Sequence, residues 1–187
     1  MFYEGRLSSV PHLSRQAVDT SVIHGSGLWL LPVEHSGNQS SSIEEAAAVE
    51  DLVADLLAGE PTWTDAAGEV HPLRLDDILI VAPYNAQVTA IGERIPGANV
   101  GTVDKFQGQE APIVIYSMAT SSPEDAPRGM EFLYSPNRFN VATSRARCAC
   151  ILVASPLLFA AECRSPAQMK LANAFCRYVE LALGSRR

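Results

Sequence analysis

Three segments of the chain combine polar, flexible and basic residues in a way that suits phosphate binding. They are VAPYNAQ at 81–87, VGTVDKFQGQE at 100–110 and SPNRFNVATSRARC at 135–148. The last segment carries Arg138, Arg145 and Arg147 on one short stretch. Each segment lies where an apolar run has just ended or a helical pattern begins, and α/β proteins bind anions at such places. These segments are therefore candidates for a phosphate or nucleotide site at a sheet edge.

Apolar runs of strand length separate these segments. Runs at 28–33 (LWLLPV), 78–82 (ILIVA), 113–119 (IVIYSMA) and 151–154 predict buried strands, and a shorter strand is expected at 100–103. In the run at 78–82 every residue is apolar, which is typical of a strand covered on both faces. The pattern therefore predicts a parallel sheet.

Helical patterns alternate with these runs. Ser41 or Ser42 can begin a capping box, and apolar residues then recur at helical spacing from Val49 to Leu56, which predicts a helix that ends near Gly59. Further helical segments are expected at 85–95 and 138–147. A last helix is capped by Ser165 and ends at 184.

Strands that alternate with helices indicate an α/β protein with a doubly wound, mainly parallel sheet and helices on both faces. The length of 187 residues suits one domain over 1–187. Within it we expect an irregular or partly extended segment at 1–27 and an α/β core at 28–187. No internal repeat is apparent.

The charge is unevenly distributed along the chain. The formal net charge is −7, yet the stretch from Glu44 to Asp77 holds ten acidic residues and one basic residue, so the remainder is near neutral. The acidic helix that starts at Ser42 is therefore expected to present a solvated face. Of the 14 cationic side chains, 12 are arginine, which binds phosphate in a bidentate manner.

The sequence favours a cytoplasmic protein without membrane association. No apolar run approaches the ~20 residues that span a bilayer, and the first residues do not resemble a signal peptide. The cysteines lack metal-ligand spacing, which indicates reduced core thiols: Cys148, Cys150, Cys163 and Cys176. The four histidines are scattered, so we expect no metal site.

The order and content of the three segments resemble the second, C-terminal RecA-like domain of superfamily 1 helicases. The specific branch is that of the nonsense-mediated-decay RNA helicase and its DNA-acting relatives. VAPYNAQ is similar to TPYxxQ, TVDKFQGQE to TVDxFQGxE, and FLYSPNRFNVATSRAR to FLxxxxRLNVALTRAR. FYEGRL at 2–7 resembles the segment that follows the first arginine-bearing motif of that domain. The motifs occur in the family's order over nearly the whole chain.

The resemblance implies a set of residues that face a nucleotide. Arg145 is the expected arginine finger, which in related NTPases is worth roughly 10³–10⁵ in rate. Glu110 is expected to accept a hydrogen bond from the ribose, and Gly108 to permit a close backbone approach. Arg138 and Gln107 are expected to position the loop or sense the nucleotide.

The resemblance also implies a groove for single-stranded DNA or RNA. Thr102 is expected to touch the nucleic-acid backbone, and Tyr84 and Asn85 are weaker candidates in the same groove. A hydroxyl group, an aromatic ring and an amide can hold a single strand without reading its sequence.

Structural interpretations of the same residues stay open. Arg145 could be an ordinary surface or ion-paired arginine, and Arg147 is interpreted as structural. Glu110 could cap a backbone amide, and the Tyr84 ring could serve packing alone. Three positions depart from the family pattern, with Phe139 and Thr143 where the family has Leu and Ser144 where it has Thr.

The sequence contains neither a GxxxxGK[ST] phosphate loop nor a carboxylate pair on a strand that could hold Mg²⁺. The chain is therefore expected to be one domain of a longer ATP-dependent helicase and to be inactive alone. Its partner is then the first RecA-like domain of the same protein, which holds most of the ATP and Mg²⁺ contacts. One alternative is a non-catalytic helicase-like binding or docking module. A small-molecule enzyme is a weaker alternative, because no nucleophile and base occur together.

Overall fold

The computed structural model describes residues 11–106, 108–163 and 165–184. Nine strands and five α-helices lie in this part of the chain. The strands are β1 (Ala17–Asp19), β2 (His24–Gly25), β3 (Gly27–Pro32), β4 (Thr62–Thr64), β5 (Val70–Pro72), β6 (Ile78–Ala82), β7 (Asn99–Thr102), β8 (Ala111–Ser117) and β9 (Ala146–Ala154). The helices are α1 (Ile43–Leu56), α2 (Asn85–Arg94), α3 (Gly129–Leu133), α4 (Pro136–Thr143) and α5 (Pro166–Gly184).

Five strands form the central sheet, in the order β3-β9-β8-β6-β7. Every pairing described within this sheet is parallel. All residues of β6 and β8 are buried, which is the physical reason for their nearly continuous apolar sequences. The predicted α/β architecture with a mainly parallel sheet is confirmed.

Helices cover both faces of this sheet, as predicted. Alternate strand residues point to opposite faces. Ile80 and Ile115 pack with α1 and α2 on one face, whereas Val81 and Tyr116 pack with α4 and α5 on the other. No helix in the described part of the chain is both long enough and apolar enough to cross a membrane.

The predicted helix caps at Ser42 and Ser165 are confirmed. The Ser42 Oγ accepts a hydrogen bond from the Glu45 N–H at 3.0 Å, and the Ser165 Oγ accepts one from the Gln168 N–H at 3.2 Å. Each bond satisfies one of the otherwise free N–H groups at a helix start.

A second, antiparallel sheet was not predicted. Its order is β2-β1-β4-β5, and two of its strands lie in the segment expected to be irregular or partly extended. Its strands contain two or three residues, which is too short for an alternating pattern to emerge. Val18, Ile23 and Leu73 pack it against the α1 and α2 face of the main sheet.

One predicted boundary was wrong. The helix expected at 138–147 is α4, which ends at Thr143, and β9 begins at Ala146 rather than near Ile151. Ala146 pairs with Ala111 of β8, so strand pairing rather than local apolar content sets the start of β9. Arg145 therefore lies on the turn between α4 and β9, and Arg147 lies within β9.

Candidate functional site

A polar pocket of about 400 Å³ opens at the carboxyl edge of the main sheet. The ends of β6 and β7 and the start of α2 line it together with residues that follow β8. Its polar lining comprises Ser40, Tyr84, Asn85, Thr102, Asp104, Arg128 and Arg138. The structure thus brings together Thr102, Tyr84 and Asn85, the residues predicted for one groove. We call this cavity the carboxyl-edge pocket.

Arg138 belongs to this pocket rather than to the neighbourhood of Glu110 and Arg145. It lies in the first turns of α4, where the chain has just crossed the carboxyl edge. Its guanidinium Nη2 is 3.8 Å from Asp104 Oδ2, and 30% of its side chain is exposed. The sequence analysis placed Arg138 among the residues expected to face the nucleotide. In the structure it instead lines the pocket with the residues expected to bind nucleic acid.

The amino end of α2 presents free backbone donors to the pocket. Tyr84 is the N-cap residue and contributes no side-chain cap, and the first bond within the helix runs from the Val88 N–H to the Tyr84 carbonyl at 3.1 Å. In the described part of the chain, the N–H groups of Asn85 and Ala86 have no acceptor. Free N–H groups and the positive end of the helix dipole both favour an anion.

Tyr84 forms the inner wall of the pocket. The residue is 8% exposed, and its ring centroid lies 5.5 Å from that of Phe132. Burial raises the pKa of the phenol, and the nearby Thr120 hydroxyl and Arg128 charge oppose this rise. No group in the described ranges forms a hydrogen bond of ordinary geometry with the Tyr84 hydroxyl. The packing interpretation of Tyr84 is therefore compatible with a role for its hydroxyl group.

A buried hydrogen-bond network supports the start of α2 from behind. The Gln87 amide donates to Ser117 Oγ at 2.9 Å and accepts from the Ser42 N–H at 2.8 Å. Glu45 Oε2 accepts from the Ser117 hydroxyl at 2.6 Å and from the Ala119 N–H at 2.9 Å. These bonds tie the starts of α1 and α2 to the end of β8.

His35 completes this network. The Ser121 hydroxyl accepts from the Asn38 N–H at 2.9 Å and lies 2.7 Å from His35 Nδ1, so we assign it as the donor to that nitrogen. His35 Nε2 then donates to Glu45 Oε1 at 3.0 Å. Neither side chain of the His35–Glu45 pair is accessible to solvent.

Glu45 corrects the expectation that the acidic helix only presents a solvated face. Glu45 is fully buried, whereas Glu44 is exposed. A sequence signal for this burial existed, because Glu45 lies four residues before Val49 and shares the apolar face of α1.

The segment between β7 and β8 folds back over the sheet. The Lys105 ammonium donates to the Val100 carbonyl at 2.7 Å, and a methyl group on Gly101 would come within 3.1 Å of the Phe106 ring. Gly108 has a φ of +85°, a conformation that favours glycine. Gln107 lies outside the described residues, as does the FYEGRL segment.

Glu110 and Arg145 are neighbours at the amino edge of the same sheet. The Ala111 N–H donates to the Arg145 carbonyl at 3.0 Å, where β8 and β9 begin side by side. The Arg145 Nε is buried and has no hydrogen-bond partner in the part of the chain that the structure describes. This edge therefore holds an arginine with unused donor capacity.

The Glu110 carboxylate contacts a neighbouring arginine. Its Oε2 lies 3.5 Å from Arg147 Nε, and the two side chains are 52% and 43% exposed. Such an exposed pair contributes at most about 1 kcal/mol, so Glu110 is available to another donor at small cost. This contact supports the structural interpretation of Arg147.

The predicted residues thus form two groups. Thr102, Tyr84, Asn85 and Arg138 line the carboxyl edge, and Glu110 and Arg145 occupy the amino edge. The seven residues of β8 separate these edges by about 20 Å.

Phe139, one of the departures from the family pattern, is buried in the core. Its ring centroid lies 5.8 Å from that of Tyr116 and 5.0 Å from that of Tyr178, so the larger side chain is accommodated.

One residue of the pocket, Arg128, lies outside the segments that the sequence singled out. Asp104 of TVDKFQGQE also lines the pocket, and Phe132, the first residue of FLYSPNRFNVATSRAR, contacts Arg128, but the sequence analysis assigned neither a role. Away from this pocket, ligand atoms of Asp65, Glu69 and His71 lie within 4.8 Å of one another on the β4–β5 hairpin. Asp65 Oδ1 already accepts two backbone N–H bonds there, which closes the turn.

The five-stranded parallel sheet with helices on both faces is consistent with an α/β domain of the RecA-like type. The sequence matches the AAA domain family over residues 1–156. It is 38% identical over 96 residues to "Probable RNA helicase armi" of Drosophila melanogaster, covering 46% of this chain and 8% of that protein. It is 28% identical over 166 residues to "Regulator of nonsense transcripts 1 homolog" of Neurospora crassa, covering 83% and 15%.

A DNA helicase is also similar. The chain is 37% identical over 79 residues to "DNA polymerase alpha-associated DNA helicase A" of Schizosaccharomyces pombe, covering 40% of this chain and 12% of that protein. The chain therefore belongs to the AAA domain family and is a superfamily 1 helicase domain of the nonsense-mediated-decay branch. It spans between 8% and 15% of the length of these relatives.

Proposed function

We propose that this chain is the second motor domain of a longer ATP-dependent helicase or translocase that acts on single-stranded DNA or RNA. The main observation that supports this proposal is that two candidate sites lie at opposite edges of one parallel sheet. The carboxyl-edge pocket offers donors to a nucleic-acid backbone, and the amino edge offers Arg145 and Glu110 to a nucleotide. A motor needs both ligands on one rigid body, so that movement around one is transmitted to the other.

ATP with Mg²⁺ supplies the phosphoanhydride chemistry that drives such a motor. In this proposal the first RecA-like domain of the same protein holds most of it. The unpartnered Arg145 Nε fits an anionic group brought to this edge, since a buried guanidinium nitrogen without a partner is energetically unfavourable. Arg145 would stabilise charge on the γ-phosphate, and Glu110 would accept from the ribose.

The proposed nucleic-acid site in the carboxyl-edge pocket depends on several polar groups, each of which would make a weaker contact than the arginine finger. Thr102 and Asn85 offer a hydroxyl and an amide at the pocket, beside the free N–H groups at the start of α2. None of these groups distinguishes one base from another, which suits movement along any sequence.

The Arg145 assignment is tested in the longer protein that contains this chain. We expect Arg145→Ala to lower the ATPase turnover by about 10³-fold or more, because the γ-phosphate charge loses its finger, while single-strand affinity changes little. Steady-state ATPase assays and fluorescence anisotropy measure the two effects. Arg177→Ala, which removes an exposed arginine of α5, is the matched control.

Three results would contradict the proposal. Normal ATPase activity of the Arg145→Ala variant would remove the finger assignment. A clear ATPase rate from the 187-residue chain alone, abolished by Arg145→Ala, would show that no second domain is needed. A parent protein without a phosphate loop would instead favour a docking module.

A further inference from the structure

Arg128 lies outside the motifs that carry the family resemblance, yet it points into the carboxyl-edge pocket. It is the residue that precedes α3, and it lies in a turn closed by a bond from the Gly129 N–H to the Ala126 carbonyl at 2.9 Å. Gly129 has a φ of +73°, which sets the direction of the chain as α3 begins. Arg128 is exposed and lines the pocket beside Tyr84 and Asn85.

Arg128 and Arg138 share one aromatic ring. The Arg128 guanidinium carbon is 4.7 Å from the centroid of Phe132, and that of Arg138 is 4.4 Å from the same centroid. Phe132 follows Arg128 by four residues, one turn of helix, and its ring also faces Tyr84. Each cation gains about 0.5–1 kcal/mol from such a contact, which fixes the direction of a long side chain.

The charge of the pocket is not balanced internally. Asp104 lies 3.8 Å from Arg138, and within the described ranges no carboxylate forms an ion pair with Arg128. Two arginines and one aspartate therefore line a pocket in a chain whose formal net charge is −7. The free N–H groups of Asn85 and Ala86 at the start of α2 add donors to the same space.

We propose that Arg128 and Arg138, held by the Phe132 ring, jointly bind one backbone phosphate of the nucleic-acid strand at the start of α2. This inference rests on the proposed strand-binding function and adds a binding residue to it. A phosphate accepts several charge-assisted hydrogen bonds, and two arginine forks and two backbone N–H groups supply them. Both guanidinium groups lie over the Phe132 ring, so the proposal gives the ring the role of positioning the two cations.

Strand binding by the 187-residue chain tests the proposal. The probe is a fluorescein-labelled oligo(dT) of about 12 nucleotides, followed by anisotropy between about 50 and 200 mM salt. We expect Arg128→Gln to weaken binding about three- to tenfold at the lowest salt and to reduce the slope of log K against log salt by about 0.7. Arg177→Gln makes the same charge change outside the pocket and should behave as wild type.

If Arg128 and Arg138 bind the same phosphate, the effects of their substitutions on binding should not add. Arg138→Gln should cost as much as Arg128→Gln, and the double variant should cost little more than either single variant, because one phosphate is lost only once. Thermal unfolding midpoints equal to wild type for all variants confirm that the losses come from the pocket. Arg128→Lys should restore most of the salt slope, since it restores the charge.

The outcomes distinguish the joint binding of one phosphate by Arg128 and Arg138 from the strand-binding function on which it rests. If wild type binds and Arg128→Gln binds equally well, or if the two losses add fully, joint binding of one phosphate is overturned and the strand-binding function stands. If wild type does not bind at the lowest salt, the strand-binding function fails, and the joint phosphate site fails with it. If Arg128→Gln in the longer protein weakens ATP binding but not strand binding, the pocket serves a nucleotide and the proposal is overturned.

Discussion

At the scale of single residues, the candidate functional groups are those whose polar atoms remain without a hydrogen-bond partner after folding. Arg145 Nε and the Tyr84 hydroxyl are buried without partners in the described part of the chain, whereas Gln87 and Glu45 use their polar atoms within the fold. A buried polar group normally finds a hydrogen bond, so an unpartnered one indicates a ligand or a neighbouring domain. This criterion selects Arg145 over Arg147, which already contacts Glu110.

The buried thiols predict how stability depends on alkaline pH. Burial raises the pKa of Cys148 to about 11 and that of Cys150 to about 12, from an ordinary value of 9.0. Above pH 9 the unfolded chain loses these protons and the folded chain keeps them, so the free energy of unfolding should fall as pH rises, by up to about 1.4 kcal/mol per pH unit for each thiol. Urea unfolding at several pH values between about 8 and 10 measures this.

The variant that tests this explanation is Cys150→Ala, which removes one of these thiols. The decline of stability with pH should then be shallower by the contribution of that group. An unchanged slope would show that the Cys150 thiol does not contribute to the pH dependence.

At the scale of elements, the important feature is the network that joins the starts of α1 and α2 to the end of β8. Glu45 receives hydrogen bonds from His35, Ser117 and the Ala119 N–H. Ala119 has a φ of +67°, an unfavourable conformation for a residue with a side chain, and its bond to Glu45 holds it there. The network thus fixes the ends of the elements from which the carboxyl-edge pocket is built.

Removal of Glu45 should therefore destabilise the fold strongly. We expect Glu45→Ala to lower the free energy of unfolding by about 3 kcal/mol or more, because three buried donors lose their acceptor. Glu50→Ala is the control on the same helix, since Glu50 is 44% exposed in its pair with Arg94, and it should cost less than about 1 kcal/mol. Chemical denaturation measures both variants, and equal losses would contradict a structural role for the network.

At the scale of the whole molecule, the two candidate sites lie at opposite ends of one rigid sheet. Arg128 and Arg145 share no partner, and β8 separates their edges by about 20 Å. Substitutions at sites so far apart usually contribute independently to the free energy.

Strand binding by the chain alone should reflect this independence. We expect Arg128→Gln to weaken oligo(dT) binding by the same factor in wild type and in an Arg145→Ala background, within about twofold. A factor that differs clearly between the two backgrounds would show that the edges are coupled within this domain. The measurement is the same anisotropy titration on four proteins, namely wild type, the two single variants and the double variant.

The sequence by itself determined the parallel sheet, the helices that cover it and the identity of the motifs, because apolar periodicity and motif order are local or linear properties. Only the tertiary structure decided how these residues group. Arg138 joined Tyr84 and Thr102 because α4 starts at the carboxyl edge, and Glu110 met Arg145 because β8 and β9 begin side by side.

The residues that sequence reasoning missed share one cause. The place of Arg128 in the pocket and the small antiparallel sheet depend on segments far apart in the chain, since Arg128 lines the same pocket as Tyr84 and Thr102 and β1 pairs with β4. Short loops and strands of two or three residues carry no periodic signal of such contacts. Glu45 was the exception, since its position on the apolar face of α1 could have indicated burial. The sequence thus determines the chemistry of the candidate site side chains, whereas the packing of the sheet sets the distances between them.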